Sequence, residues 1–270
     1  MSLSNEELKE RLAGQEWTAH NIRLNSDLVT MPDKPDFMET DLRLKAILRA
    51  LSFFYRGGLA GLRVADLGSL EGGFALAMAQ QGMDVIGIEA RQMNLTKMLL
   101  LKEHFDLPQL EFHLDDVKNF TRERFGTFDV VLALGILYHL NDPVAWLRQI
   151  SEMTRGVLVV ESHYAPADDR ALKHLDSRLK LGPLVQGANN GFQFEGRWFF
   201  EFPPGADPEA MPWASYSNSS SFWLTKKSLL LALMHAGFDL VFEQHDYSAP
   251  SYDFLHKTFS RGMFVALKNH

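Results

Sequence analysis

The sequence predicts an α/β fold: a doubly wound, mostly parallel sheet with helices on both faces. Three observations predict it. The stretch LRVADLGSLEGGF at 62–74 is an apolar run, a glycine loop and the start of an Ala/Met/Gln-rich segment, so it reads as strand, turn and helix. From there to residue 161, short apolar runs alternate with helical stretches across short connections. Asp66, Glu89, Asp116, Gly135 and Glu161 fall at the carboxyl ends of those runs, where ligands of such sheets bind, and they are expected to converge.

The glycine loop narrows the ligand by charge. A dinucleotide loop offers bare amides to a pyrophosphate, usually as G-x-G-x-x-G. Here the spacing is D-x-G-x-x-x-G, with Asp66 before the loop, Glu71 inside it, and Gly68, Gly72 and Gly73 clearing the backbone. Two carboxylates repel a pyrophosphate and welcome a cation. S-adenosylmethionine carries a sulfonium and an ammonium and no phosphate, so the loop favours it over NAD. An ordinary tight strand-helix turn is the bland alternative.

A length of 270 residues fits one large domain or one domain with an insertion, and a hydrophobic content of 46% supplies a full core. The formal net charge of −7 argues against broad nucleic-acid or anionic-membrane binding. With no cysteine, disulfides, thiolate catalysis and cysteine-ligated zinc are excluded, and no metal is expected. The opening MSLSNEELKERL is polar, unlike a signal peptide, and no apolar run reaches membrane-spanning length. A soluble, cytoplasmic protein is the expectation.

Taken in order, residues 4–13 read as an amphipathic helix with Ser4 as N-cap and Glu7 closing a capping box. Residues 15–29 carry Trp17 and His20, and 31–36 read as a Pro-containing loop. Residues 41–54 place Leu42, Leu44, Ile47, Leu48 and Leu51 on one apolar face of a helix, which Gly57 and Gly58 end. Strands follow at 62–67, 83–89, 110–114, 128–134 and 157–161, with helices at 74–81, 95–104 and 143–153. After Glu161 the alternation stops. Residues 162–223 interleave Gly, Pro, Asn and Ser with Trp198, Phe199, Phe200, Phe202, Trp213, Tyr216, Phe222 and Trp223. A structureless loop of that length is improbable, so the stretch reads as an inserted aromatic cap. A helix at 225–236, capped by Thr225 and stopped by Gly237, precedes strands at 239–243 and 263–267. The expected organisation is an N-terminal helical segment (1–58), a core (59–161), the cap (162–224) and a closing part of the core (225–270).

The motifs VADLGSLEGG, VIGIEA, LDDV and FDVVLALGILYHLNDP resemble those of the class I S-adenosylmethionine-dependent methyltransferases, over roughly residues 62–161 and again 225–268. ILYHLNDP is similar to the branch that holds the tRNA wobble-uridine methyltransferases and related small-molecule enzymes, as is EWTAHNIRL near the start. The resemblance implies a Rossmann-like, seven-stranded sheet with its last strand antiparallel. It implies that Glu89 accepts hydrogen bonds from both ribose hydroxyls, with Ala90 and Arg91 following it. Asp116 and the amide of Val117 would meet the adenine, with Asp115 as the substitute acid. Asp66, Gly68, Ser69 and Gly72 would lie near the methionine moiety, and Leu134 and Gly135 beside its ammonium. Arg91 would cover the adenine ring or be a surface arginine.

Methyl transfer is an in-line displacement at an activated carbon, so the protein mainly positions and desolvates, and a base helps only when the acceptor holds a proton. His139, just past the fourth strand, is the leading candidate base, because an imidazole titrates near neutral pH. His163 is the second, and Tyr138 shapes the methyl-donor pocket. Each histidine also has a structural reading. Trp17 and His20 are expected to close over the substrate, with Trp198 and Trp223 lining it from the cap. Burial explains Trp17 equally, and the cap aromatics equally suit the core of a subdomain.

These readings favour a methyltransferase acting on an oxygen or nitrogen of a small-molecule acceptor. A tRNA-modifying enzyme would need a basic track that the sequence lacks, unless a partner subunit supplies it. A non-catalytic methyltransferase-like module and an NAD-dependent oxidoreductase are the readings from other classes.

Overall fold

The computed structural model describes residues 3–247 and 260–269. Seven strands form a mostly parallel sheet in the order β3-β2-β1-β4-β5-β10-β9, and three more form a second sheet, β6-β7-β8. They are β1 (Arg63–Leu67), β2 (Asp84–Glu89), β3 (Leu110–Leu114), β4 (Phe128–Leu134), β5 (Thr154–His163), β6 (Leu181–Asn189), β7 (Phe192–Phe200), β8 (Ser220–Leu224), β9 (Leu240–Gln244) and β10 (Arg261–Leu267). The chain divides into two compact units, Met1–Val117 and Lys118–His270. Among the described residues, no helix is long and apolar enough to cross a membrane.

In the first unit, α1 (Asn5–Ala13) starts with the expected capping box: Ser4 accepts from the Glu7 amide and Glu7 from the Ser4 amide. Asp41 caps α2 (Leu42–Phe54), accepting from the Arg43 and Leu44 amides, and Leu44, Ile47 and Leu51 are buried. β1 is buried from Val64 to Leu67 and pairs in parallel with β2, Asp66 opposite Gly87. The loop then opens α3 (Gly73–Gln80), and α4 (Gln92–Phe105) connects β2 to β3.

The loop's shape depends on a carboxylate that points away from where a ligand was expected. Glu71, fully buried, accepts from the amides of Thr18 (2.6 Å), Ala19 (3.1 Å) and His20 (2.8 Å) and from Lys97 Nζ on α4 (3.0 Å). The expectation that Glu71 faces a cationic ligand is therefore corrected: its cation is Lys97, itself 2% exposed. These hydrogen bonds outweigh the burial that opposes them and hold the Glu71 carboxyl below its usual range. His20 is pinned alongside. Its Nδ1 accepts from the Gly73 amide at 3.0 Å, capping α3 from outside the helix, and a Cβ on Gly73 would lie 2.8 Å from the imidazole.

In the second unit, the short α5 (Arg122–Phe125) leads into β4, and β4 and β5 pair in parallel, with α6 (Pro143–Met153) between them, capped by Asp142. β5 runs past its expected limits at both ends: β10 pairs along it in antiparallel register from Leu267 opposite Val157 to Arg261 opposite His163, which extends its carboxyl end, and Thr154 pairs with Phe128 of β4 at its start. The stretch read as a cap holds the three antiparallel strands of the second sheet. Gly196 is needed there, since a Cβ would collide with the Phe222 ring. Thr225 caps α7 (Lys226–His235), accepting from the Ser228 amide.

Replacing Lys97 by Met strands the Glu71 carboxylate in the interior. The expected loss is about 3–5 kcal/mol in urea denaturation. A loss below about 1 kcal/mol would show that the three amides neutralise Glu71 without a cation.

Candidate active site

In the first unit the loop spends its own amides. Gly68 and Ser69 both donate to the Ile88 carbonyl (2.9 and 3.0 Å), and Gly72 donates to the Ser69 carbonyl (2.8 Å). Leu70, at φ +53°, donates to Glu89 Oε2 (2.9 Å), and Gly73 to His20. A pyrophosphate would need those donors. The Ser69 hydroxyl donates to the Asp66 carbonyl at 2.7 Å. Gly72, at φ +77°, sits where a Cβ would press on Met98 and Phe112. Gly87 on β2 serves the same packing: its Cβ would lie 2.6 Å from Phe112 and 2.8 Å from the Ser69 hydroxyl.

What remains open on this unit is acceptor capacity. Asp66 is 3% exposed, and its Oδ2 has no hydrogen-bond partner. Burial, with a smaller push from the neighbouring Glu89 charge, raises the Asp66 carboxyl to about 7, against a hydrogen bond from the Ala75 amide. Glu89, at the end of β2, accepts from the Arg91 amide (2.9 Å) as well as from Leu70, so each oxygen keeps a further lone pair. Burial raises the Glu89 carboxyl as well, against the Arg91 amide and the Arg91 charge. Arg91 is 6% exposed, which removes the surface-arginine reading. Ala90 follows Glu89 half-buried, the Asp115 amide donates to the Glu89 carbonyl (2.9 Å), and Asp115 and Asp116 are half-buried ahead of buried Val117.

In the second unit, β4 ends at Leu134, opposite Glu161 on β5, and Gly135 turns at φ +81° with its amide on the Glu161 carbonyl (2.9 Å). A Cβ there would lie 3.4 Å from Arg261 Nη2 and 3.6 Å from the Tyr138 hydroxyl. Arg261 forks onto Glu161, Nε to Oε1 at 3.1 Å and Nη2 to Oε2 at 3.0 Å. The strand-end acid Glu161 is thus held in an ion pair with Arg261. The next turn, Leu137–His139, carries Tyr138 and His139. Burial pushes the Tyr138 phenol above its ordinary range, so Tyr138 keeps its proton and does not serve as a base.

His139 Nδ1 lies 3.0 Å from Glu201 Oε1. The His163 ring stacks on Trp223 (4.8 Å between centroids, 9°), with Tyr138 edge-on to it (4.5 Å, 79°) and Phe199 stacked near Trp223 (5.0 Å). Tyr138, His139, His163 and Trp223 are thus brought together. Trp198 stays outside this cluster, 45% exposed and edge-on to Phe222. His20 and Trp17 are both buried in the first unit. His20 is occupied with the Gly73 amide, and burial lowers its imidazole to about 4. Trp17 is 8% exposed, with Lys97 Nζ 5.7 Å from its ring. Glu201 and Arg261 had no motif to announce them; only the strand pairings bring them to His139 and Glu161.

The comparisons agree with this fold. A family described as a methyltransferase domain matches residues 37–243, well over half of the chain. A ubiquinone biosynthesis O-methyltransferase of Acinetobacter baylyi is 29% identical over 101 residues, 37% of this chain and 42% of that protein. Its counterpart in Aliivibrio fischeri is 31% identical over 122 residues, 45% of this chain and 50% of that protein. The chain thus spans half or less of the length of the curated relatives it matches. The N-terminal domain of EvdMO1, crystallised in the presence of SAH and D-fucose, is similar at a TM-score of 0.71 and 23% identity, over 99% of this chain and 98% of that one. The 1,6-didemethyltoxoflavin-N1-methyltransferase of Burkholderia thailandensis is similar at a TM-score of 0.53 and 15% identity, over 86% and 80%. At these identities the structural likeness is one of fold. On the family match, the chain belongs to the methyltransferase domain family.

Proposed function

We propose that the protein is an S-adenosylmethionine-dependent methyltransferase acting on an oxygen or nitrogen of a small-molecule acceptor, as a soluble enzyme of the cytoplasm. The observation that carries this is the state of the glycine loop: Gly68, Ser69, Leu70, Gly72 and Gly73 donate to protein acceptors, while Asp66 Oδ2 lies buried without a partner. Such a cradle suits a cationic, hydroxyl-bearing, phosphate-free nucleoside. Glu89 would accept from the ribose hydroxyls, Asp116 would meet the adenine, and Asp66 would face the methionine end. When bound, S-adenosylmethionine supplies a methyl carbon already activated by its sulfonium. The chain's own residues orient the partners, exclude water and remove the acceptor's proton, for which His139 is the base. The similarity to a ubiquinone biosynthesis O-methyltransferase and to a methyltransferase with bound 1,6-didemethyltoxoflavin supports a ring-bearing acceptor.

Calorimetric titration tests the donor assignment. Micromolar binding of S-adenosylmethionine and S-adenosylhomocysteine is expected, weakened at least about tenfold by Glu89→Ala. Binding of NAD alone would overturn it. Label transfer from S-adenosylmethionine to D-fucose, to 3,4-dihydroxybenzoate or to bulk tRNA tests the acceptor class, and labelling of tRNA alone would replace the small-molecule reading. With an active acceptor, His139→Ala is expected to lower kcat by about 10²–10⁴; an unchanged kcat would remove His139 from the chemistry.

Asp66 adds a pH dependence. The folded protein keeps a proton on Asp66 up to about 7, whereas the unfolded chain loses it near the ordinary 3.8. Its contribution to stability therefore falls as pH rises through that window. A cationic ligand favours the ionised carboxylate, so binding releases a proton and affinity for S-adenosylmethionine is expected to rise with pH up to about 7. Titrations across this range check it. Asp66→Asn should flatten the profile, and an unflattened one would place the titrating group elsewhere.

A further inference from the structure

We infer that Glu201, at the end of the second sheet's central strand, is a positioning residue that fixes His139 as the Nδ1–H tautomer and leaves Nε2 to take the acceptor's proton. This rests on the reading of His139 as the base.

The geometry supplies the tautomer. An ionised carboxylate only accepts hydrogen bonds, so the proton shared across the 3.0 Å contact belongs to Nδ1, and the lone pair of the neutral ring is on Nε2. Glu201 is itself immobilised. Its side chain is 1% exposed, and it also accepts from Ser221 Oγ (2.6 Å) and the Ser215 amide (3.1 Å). The backbone of His139 is held by the same segment: Asn218 Nδ2 donates to the His139 carbonyl (3.1 Å), and the Phe222 amide to the Leu140 carbonyl (2.8 Å).

The charge has a use as well. A buried carboxylate is costly unless a cation offsets it. Among the described residues, the one cationic partner in an ion pair with Glu201 is His139. Tyr138, whose ring lies 4.3 Å from His139, is neutral, and the guanidinium of Arg261 near that ring is already forked onto Glu161. Glu201 is therefore the carboxylate that faces the charge formed on His139 when the ring takes up a proton. In the step itself, the acceptor's O–H or N–H bond breaks and an Nε2–H bond forms. The electron pair stays on the acceptor atom as the nucleophile, and the new cation faces Glu201 until the proton leaves to solvent.

Nitrogen-15 spectra of histidine-labelled wild-type protein, with the His139 signals assigned from His139→Ala, test this without any acceptor. The expected spectrum shows neutral His139 protonated on Nδ1; one protonated on Nε2 would overturn the inference, whether or not the Glu201 variants fold. In Glu201→Gln the amide can donate as well as accept, so a mixture of tautomers is expected. Its kcat on whichever probe acceptor the wild type methylates should fall on the order of 10²-fold, with KM and S-adenosylhomocysteine affinity little changed. Glu201→Asp should recover part of the loss. Ser221→Ala, which removes one anchor of Glu201, should give a smaller loss of the same kind. A Glu201→Gln enzyme with wild-type kcat, beside an inactive His139→Ala, would sink the role of Glu201 and leave His139 as the base. An active His139→Ala would instead sink the reading on which the inference rests.

Discussion

The buried carboxylate of Glu71 is the constraint on which the first unit depends. It gathers three amides of the 18–20 segment and the ammonium of Lys97 into one desolvated cluster. That cluster fixes the loop between β1 and α3 and delivers His20 to the Gly73 amide. With His20 as cap and the Ile88 carbonyl taking two further amides, the loop has no row of donors to offer a phosphate. The same packing leaves Asp66 buried with an oxygen unpartnered. A loop built in this way discriminates by what it has already used. Its selectivity against a phosphate follows from internal bonds, and its preference for a cation from the unpartnered oxygen of Asp66.

A second buried acid plays a comparable part in the other unit, where Glu201 ties the second sheet to the turn bearing His139. The stretch 162–224 forms a sheet of its own, and Glu201 within it holds the His139 ring. Two buried groups in the first unit also titrate against one another. His20 is lowered to about 4, so its contribution to stability is full above the ordinary 6.5 and is lost as pH falls through that interval. Asp66, raised to about 7, contributes in the opposite direction over nearly the same range. Their opposed slopes flatten the stability of the free protein where the affinity for a cationic ligand changes most.

The core was legible in the sequence because its signals are local. Apolar runs such as 128–134, capping residues such as Ser4 and Thr225, and the glycine loop each announce themselves within a few positions. The glycine loop also gave the right ligand charge, though for a partly wrong reason, since Glu71 turns inward and Asp66 alone stays open. What escaped depends on distant partners. Glu71 and His20 are separated by 51 positions, and His139 and Glu201 by 62. Glu201 stands between Phe200 and Phe202, where it reads as a solvated acid in an aromatic run. The strands of the second sheet were hidden by Gly187 and Gly196, which suggest loops but permit the close approach of Phe194 and Phe222, and by Gly191, which turns at φ +80° between two of them.

Amide hydrogen exchange with and without S-adenosylhomocysteine tests the account of the loop most directly. The account predicts that the amides of Thr18, Ala19, His20, Leu70 and Gly73 are protected in the free protein, because each already donates to a buried acceptor. The ligand should add protection at the loop and at Glu89–Arg91 without any amide having first to change partner. Fast exchange of these amides in the free protein, slowed only when the ligand binds, would contradict a loop held ready by Glu71 and His20.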